Sequence, residues 1–240
     1  VLGAAAAAIV AGFIKGAIGF GFPTIGTPLL ALFVDVKIAV PLLVPPNLLL
    51  DGIQARRGGH FAATTRRLTV LLLFGAVGMV IGTRLLIGLP SRVVTLVLGA
   101  FVLAFVVLNA TRFRLRVPDH WEHWLSPPVG LLAGIVGGIT NVPGTPLIIY
   151  FYALGMDKRT FVRSVALSFI VYKVTQLGAL AWYGAFSAAL VPASLGLVLA
   201  GFLGFAIGLR VQDRLDQQAF NRAVLVFLAA LGVWLTIRSL

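Results

Sequence analysis

The sequence predicts an all-α polytopic membrane protein built from two inverted-topology repeats, each with one broken, re-entrant helical hairpin and three transmembrane helices. Three observations predict it. The composition is far too apolar for a soluble domain. Two pairs of short apolar runs are interrupted by Gly/Pro-rich breaks. The break recurs, with the glycines around it, at a constant offset.

Of the 240 residues, 60% are hydrophobic and 11% charged, and the mean hydropathy is +1.04. A soluble domain averages about 45–50% apolar and about 25% charged. Disorder requires low hydrophobicity and does not fit either. Nineteen Lys+Arg against seven Asp+Glu give a net charge of +12. The basic residues lie in short segments between apolar runs, a membrane-topology pattern rather than a nucleic-acid footprint. Cysteine is absent, so there is no disulfide framework, thiolate nucleophile or Cys-ligated metal.

A helical span takes about 20 apolar residues. The run 2–20 leads directly into more membrane sequence and has no Ala-x-Ala cleavage context near Gly21, so it reads as structure rather than a signal peptide. It breaks at Gly19-Phe20-Gly21-Phe22-Pro23-Thr24-Ile25-Gly26 and resumes as 27–34. Full spans follow at 38–54, 68–87 and 93–110, the first carrying Pro41, Pro45 and Pro46, which should kink it and expose backbone. The run 127–139 breaks at Gly137-Gly138-Ile139-Thr140-Asn141-Val142-Pro143-Gly144 and resumes as 145–155. Spans at 160–183, 191–209 and 219–237 complete the chain. Pro removes a helical donor and Gly weakens a helix. Neither break is charged, so both read as hairpins with tips inside the membrane.

Charge sets the orientation. One side collects Arg56, Arg57, Arg66, Arg67, Arg112, Arg114, Arg116, Lys158, Arg159, Arg163, Arg210, Arg214 and Arg222. The other collects Lys37, Arg84, Arg92 and Arg238. Thirteen against four makes the first side cytoplasmic and puts both termini outside. The count requires each broken pair to return to the side it came from.

The repeat is explicit. Gly12, Gly16, Gly19 and Gly26-Thr27-Pro28-Leu29 recur as Gly130, Gly134, Gly137 and Gly144-Thr145-Pro146-Leu147, all offset by 118. Farther on, Gln54 aligns with Gln176, and Gly75, Gly78, Gly82 and Arg84 align with Gly201, Gly204, Gly208 and Arg210. The halves are 1–114 and 127–240, joined by a cytoplasmic linker at 115–126. An odd number of crossings per half inverts the second. Inverted repeats with broken helices are a mark of secondary transporters. Taken singly, glycines at spacing four also serve close helix packing.

Thr27-Pro28 and Thr145-Pro146 each open an apolar run, Thr as N-cap and Pro at the first helical position. Each break should therefore end on a half-helix N-terminus, with free N–H groups and roughly half a positive charge, suited to an anion. Gly26 and Gly144 sit beside these ends. Lys15 and Lys173 are intramembrane cations, which are costly and usually functional. Lys15 lies ~20 Å into the first run, too deep for easy snorkelling. Asp51 aligns with Lys173; it either pairs with a Lys, carries a coupling proton, or pairs with Arg56 at the helix end. Asn47, Gln54, Asn141, Thr24, Thr140, Thr175 and Gln176 are uncharged candidates, as amide donors to an oxyanion or as interhelical links. His120-Trp121-Glu122-His123-Trp124 lacks a third fixed ligand and reads as an interfacial segment, not a metal site. No cofactor motif and no ATP-hydrolysis motif is present.

Gly12-Phe13-Ile14-Lys15-Gly16-Ala17-Ile18-Gly19, followed by Gly26-Thr27-Pro28-Leu29-Leu30, resembles the first half of the TauE/SafE sulfite-exporter family, also called the toluene-sulfonate uptake permease family. Gly130 to Leu147 resembles its second glycine-rich motif, and Asp157 to Arg163 leading to Gln176 has the family's look. The resemblance covers essentially the whole chain. It implies movement of sulfite or an organosulfonate across a bacterial inner membrane. Two features depart from the pattern. The breaks lack the Gly-Gly-Gly run of many members, and Lys15 stands where an apolar residue is frequent, with Ala133 as its repeat partner.

The sequence-level expectation is a non-enzymatic secondary transporter, an exporter of a small anion, driven by a proton or substrate gradient. Its expected substrate site is Lys15, Gly26, Thr27, Asn47, Asn141, Gly144, Thr145, Lys173 and Gln176, with Asp51 for proton coupling. The expected partners are the anion and the lipid bilayer, with a homodimer left open. A passive anion channel on the same scaffold, a permease for another small organic anion, and a membrane-embedded enzyme or sulfur-relay partner are the competing readings.

Overall fold

The ten apolar runs correspond to ten α-helices among the described residues. The computed structural model describes residues 2–19, 21–56, 61–110, 116–212 and 217–239. Phe20 of the first break and Arg57, Arg112, Arg114 and Arg214 of the charge count lie outside the described residues. The helices are α1 (Leu2–Ile18), α2 (Phe22–Leu30), α3 (Val36–Arg56), α4 (Phe61–Gly88), α5 (Ser91–Ala110), α6 (Glu122–Thr140), α7 (Gly144–Ala153), α8 (Lys158–Trp182), α9 (Val191–Val211) and α10 (Gln217–Arg238). No strand occurs among the described residues. Five helical stretches among them are long and apolar enough to cross a membrane: Val36–Gln54, Thr64–Gly88, Ser91–Ala110, Thr160–Trp182 and Ala188–Val211. Leu73, Val77, Leu199, Leu203 and Val226 are exposed on the outer faces of α4, α9 and α10, where water would penalise them and lipid does not.

Two glycine seams hold the bundle. Helix α1 lies along α9, and α6 lies along α4. A Cβ on Gly12 would fall 2.1 Å from the Gly201 carbonyl oxygen, and one on Gly204 would fall 2.0 Å from that of Ile9. On the other seam, a Cβ on Gly134 would fall 2.1 Å from the Gly75 carbonyl oxygen. Within lipid, association depends on close van der Waals packing, and only residues this small let the backbones approach. Around the seams, α3 packs on α8, α5 on α10, α3 on α9 and α4 on α8.

Both short pairs fold back on themselves. Gly3 at the start of α1 lies against the Phe33 ring just after α2. In the second pair, Val117 N–H donates to the Ala153 carbonyl at 2.8 Å, and the Tyr150 hydroxyl donates to the Glu122 carbonyl at 2.9 Å. At one end of the molecule, Lys37 Nζ donates to Ile87 O, Ser91 Oγ to Asp35 and Arg92 Nε to Ser239 O. Elsewhere Arg67 Nε and Nη2 grip both carboxylate oxygens of Glu122 at 2.7 and 2.8 Å.

The structure corrects the expected start of the second helix. Thr27 does not cap α2: the helix begins at Phe22, with Gly21 as N-cap in the left-handed region (φ 101°) and Pro23 in the first turn. Gly21 reverses the chain without a Cβ clash, and Pro23 sets the helical φ at once, so the helix starts six residues earlier than a Thr27 cap would place it. Pro28 then lies inside it. Helix α7 does begin at the second break, at Gly144 after Pro143, but the Thr145 hydroxyl makes no cap bond.

The prolines of α3 do not end that helix. Pro46 has no N–H to give the Leu42 carbonyl, and Ser194 Oγ of α9 donates to that carbonyl at 3.0 Å instead. This is how a membrane helix keeps a proline: a neighbour re-satisfies the freed group.

Candidate functional site

The two breaks meet in the interior. Helix α6 ends at Asn141, which takes the left-handed conformation (φ 67°) and returns its N–H to the Gly137 carbonyl. Asn tolerates that region better than most residues, and the geometry turns its side chain and its carbonyl inward. Asn141 Nδ2 donates to Thr27 Oγ1 of α2 at 3.0 Å, which joins the second break to the first short helix. A Cβ on Gly144 would lie 3.3 Å from the Phe169 ring, and one on Gly26 would lie 3.2 Å from Ala11 Cβ. Both glycines are thus tight packing points beside the site.

Lys173 of α8 points at this junction and is fully buried. Its ammonium donates to the Asn141 carbonyl at 3.0 Å, to Asn141 Oδ1, and to Gln176 Oε1 at 2.8 Å. All three donors are used, and all three acceptors are neutral. The hydrogen bonding is complete, but no acceptor carries the opposite charge. The C-terminal end of α6 adds only a partial negative charge. Gln176 Nε2 in turn donates to the Gly137 and Gly138 carbonyls at 3.2 and 3.3 Å, which locks its Oε1 toward the lysine.

Lys15 of α1 is treated differently. It is buried and ion-paired with Asp51 of α3. Of the alternatives open in the sequence, the Asp51 carboxylate takes a lysine as its partner. Asp51 also interacts electrostatically with Lys173. The cluster therefore holds two lysines against one carboxylate. Gln54, one turn beyond Asp51, donates from Nε2 to the Gly19 carbonyl at the first break.

Several polar atoms beside these groups are buried without a partner: both amide atoms of Asn47, Asp51 Oδ2, Gln54 Oε1, Thr145 Oγ1, Ser164 Oγ and Ser168 Oγ. Asn47, Asp51 and Gln54 fall at i, i+4 and i+7, on one face of α3. Each such atom costs about 1–3 kcal/mol when left dry and unpaired. Ser164 and Ser168 were not singled out from sequence. Of the other uncharged candidates, Thr140 and Thr175 bond back to the carbonyls of Val136 and Val171 on their own helices.

Two cavities among the described residues have polar linings. One of about 480 Å³ is lined by Asp35, Ser91, Arg92, Thr95 and Arg238 among others. One of about 200 Å³ reaches Gly21 and Thr24 at the first break, with Asn109 and Tyr152. Neither is lined by Lys15 or Lys173, and both of those side chains are buried. At the loop 120–124, Glu122 is committed to Arg67, and His120 and His123 lie against Trp121 and Trp124. Among the described residues no three His, Cys, Asp or Glu side chains gather as a metal site.

Ten α-helices among the described residues, apolar outer faces and a buried, charged polar cluster define a polytopic membrane protein. The chain belongs to the sulfite exporter TauE/SafE family, whose model matches residues 4–235. This is a family of membrane transporters rather than of enzymes, and it places the chain among carriers of small anions. No curated protein and no solved structure matches the chain.

Proposed function

We propose that the protein is a secondary transporter that exports sulfite or an organosulfonate across the bacterial inner membrane by alternating access. The observation that carries this is the Lys173 ammonium, buried where the two breaks meet and held only by neutral oxygens. A small oxyanion displacing one amide oxygen would supply the missing charge. Asn141, Thr27 and Thr145 would add donors, with Gln176 holding the lysine, Asn47 across the site, Gly26 and Gly144 keeping the walls close, and Lys15 kept paired with Asp51. The N-terminal end of α7 at Gly144 favours an anion as well.

The two-repeat organisation supports the mechanism. Residues 1–114 and 127–240 form the halves and 115–126 the cytoplasmic linker. With α1 matched to α6 and α4 to α9, the α1–α9 seam corresponds to the α6–α4 seam, and α3 faces its own counterpart α8. Such a pairing suits rocking of one set of helices against the other about a central site. The basic side is cytoplasmic and both termini lie outside, on the thirteen-to-four charge count. Asp51 couples a proton: protonating it would release Lys15 to take part in anion binding.

The test is flux in proteoliposomes with sulfite, a sulfonate and sulfate, with and without a pH gradient. Saturable sulfite or sulfonate flux with counterflow, responding to the gradient, is the expected result. Unsaturable flux without counterflow would make the protein a channel. No flux of any of the three would remove the substrate assignment.

A further inference from the structure

The two buried lysines stand in the same frame with different partners. Beside Lys15, Gln54 Nε2 holds the Gly19 carbonyl; beside Lys173, Gln176 Nε2 holds the carbonyls of Gly137 and Gly138. Gln54 aligns with Gln176 and Gly19 with Gly137 in the repeat. The frame is shared, but the charge is not. Lys15 is met by the carboxylate of Asp51, whereas Lys173 is met by one backbone and two amide oxygens. Asp51 Oδ2 and Gln54 Oε1 are buried without a partner, so the Asp51 carboxylate is held by one oxygen alone. A residue fixed for stability would be expected to have both oxygens satisfied.

We infer that Asp51 is an internal stand-in for a substrate anion. Its carboxylate occupies on Lys15 the place that an external oxyanion takes on Lys173. Lys15 is then a second anion site that the chain keeps filled, and its ligand class is a small oxyanion of carboxylate-like size. The inference rests on the anion reading of Lys173. It also makes Asp51 a displaceable negative charge whose removal opens a site, rather than half of a fixed structural pair.

Equilibrium dialysis of the purified full chain in detergent with radiolabelled sulfite tests it, with size-exclusion profiles as the fold control. Wild type should bind a single equivalent, lost in Lys173→Gln. Asp51→Asn should bind a second equivalent, and adding Lys15→Met to that variant should remove it. If wild type binds its equivalent but Asp51→Asn gains none, the inference is overturned and the Lys173 reading stands. If wild type binds none, both fall. Should Asp51→Asn fail to fold, Asn141→Asp decides the matter. It places a carboxylate on Lys173 at a backbone position that Asp also tolerates, and it should weaken sulfite binding by at least tenfold. Asn141→Ser, which removes the same amide without adding charge, should lose less. Undiminished binding in Asn141→Asp would overturn the inference.

Discussion

Asn141 Nδ2 lies 3.0 Å from Thr27 Oγ1, and the Oδ1 of the same amide accepts from Lys173. One side chain therefore fixes the distance between the first short helix and the cation of the eighth. The orientation of the amide is settled by its partners: a hydroxyl on one side and an ammonium on the other leave it no useful flip. Thr27→Val keeps the shape and removes the acceptor. It should lower stability by about 1–3 kcal/mol, since a buried amide donor is left unpaired. It should also weaken anion binding by loosening Asn141. Thermal unfolding and sulfite binding on the same sample measure both; wild-type values in both would detach Thr27 from the site.

The glycine seams make a sharper prediction about stability. Gly204 and Gly196 both lie on α9, but a Cβ on Gly204 would strike the Ile9 carbonyl oxygen at 2.0 Å, and a Cβ on Gly196 would meet nothing within 4 Å. Gly204→Ala should cost about 1–3 kcal/mol as an overpacked contact against backbone that cannot move aside. Gly196→Ala should be neutral or gain about 0.5–1 kcal/mol from helix propensity. Denaturation in one detergent compares them, and equal costs would show that the α1–α9 seam is not tight.

Ser194 acts through its hydrogen bond to the Leu42 carbonyl, the group that Pro46 leaves open. Ser194→Ala should destabilise the protein by about 1–3 kcal/mol. Pairing it with Pro46→Ala, which restores the N–H to α3, should recover part of that loss. Unfolding curves for the two variants that show no such recovery would break the link between the proline and the serine.

Much of the fold could be read from the residues. The ten apolar runs match ten α-helices among the described residues because each run is bounded by Gly, Pro or charge, and because glycines spaced by four mark faces where backbones meet. The buried polar cluster was legible in part. Lys15, Lys173, Asn141 and Gln176 stood out as polar groups in apolar sequence. The pairing of Lys15 with Asp51, 36 residues apart, was one of three alternatives that no local pattern could decide. Thr27 misled because Thr-Pro is a sound helix start, but Gly21 followed by Pro23 offered an earlier one. Ser164 and Ser168 escaped notice because a helical hydroxyl usually bonds its own backbone, as Thr83, Thr95 and Thr175 do. Only the packed structure shows that these two serines have no such partner.

The central claim is that the Lys173 ammonium, whose direct partners are all neutral oxygens, binds the transported anion. Sulfite flux into proteoliposomes, compared between wild type and Lys173→Gln at equal amounts of folded protein, tests it most directly. The account predicts saturable flux in wild type and a loss of at least tenfold in the variant, since a charged hydrogen bond is worth about 1.5–3 kcal/mol. Undiminished, saturable sulfite flux through Lys173→Gln would contradict it.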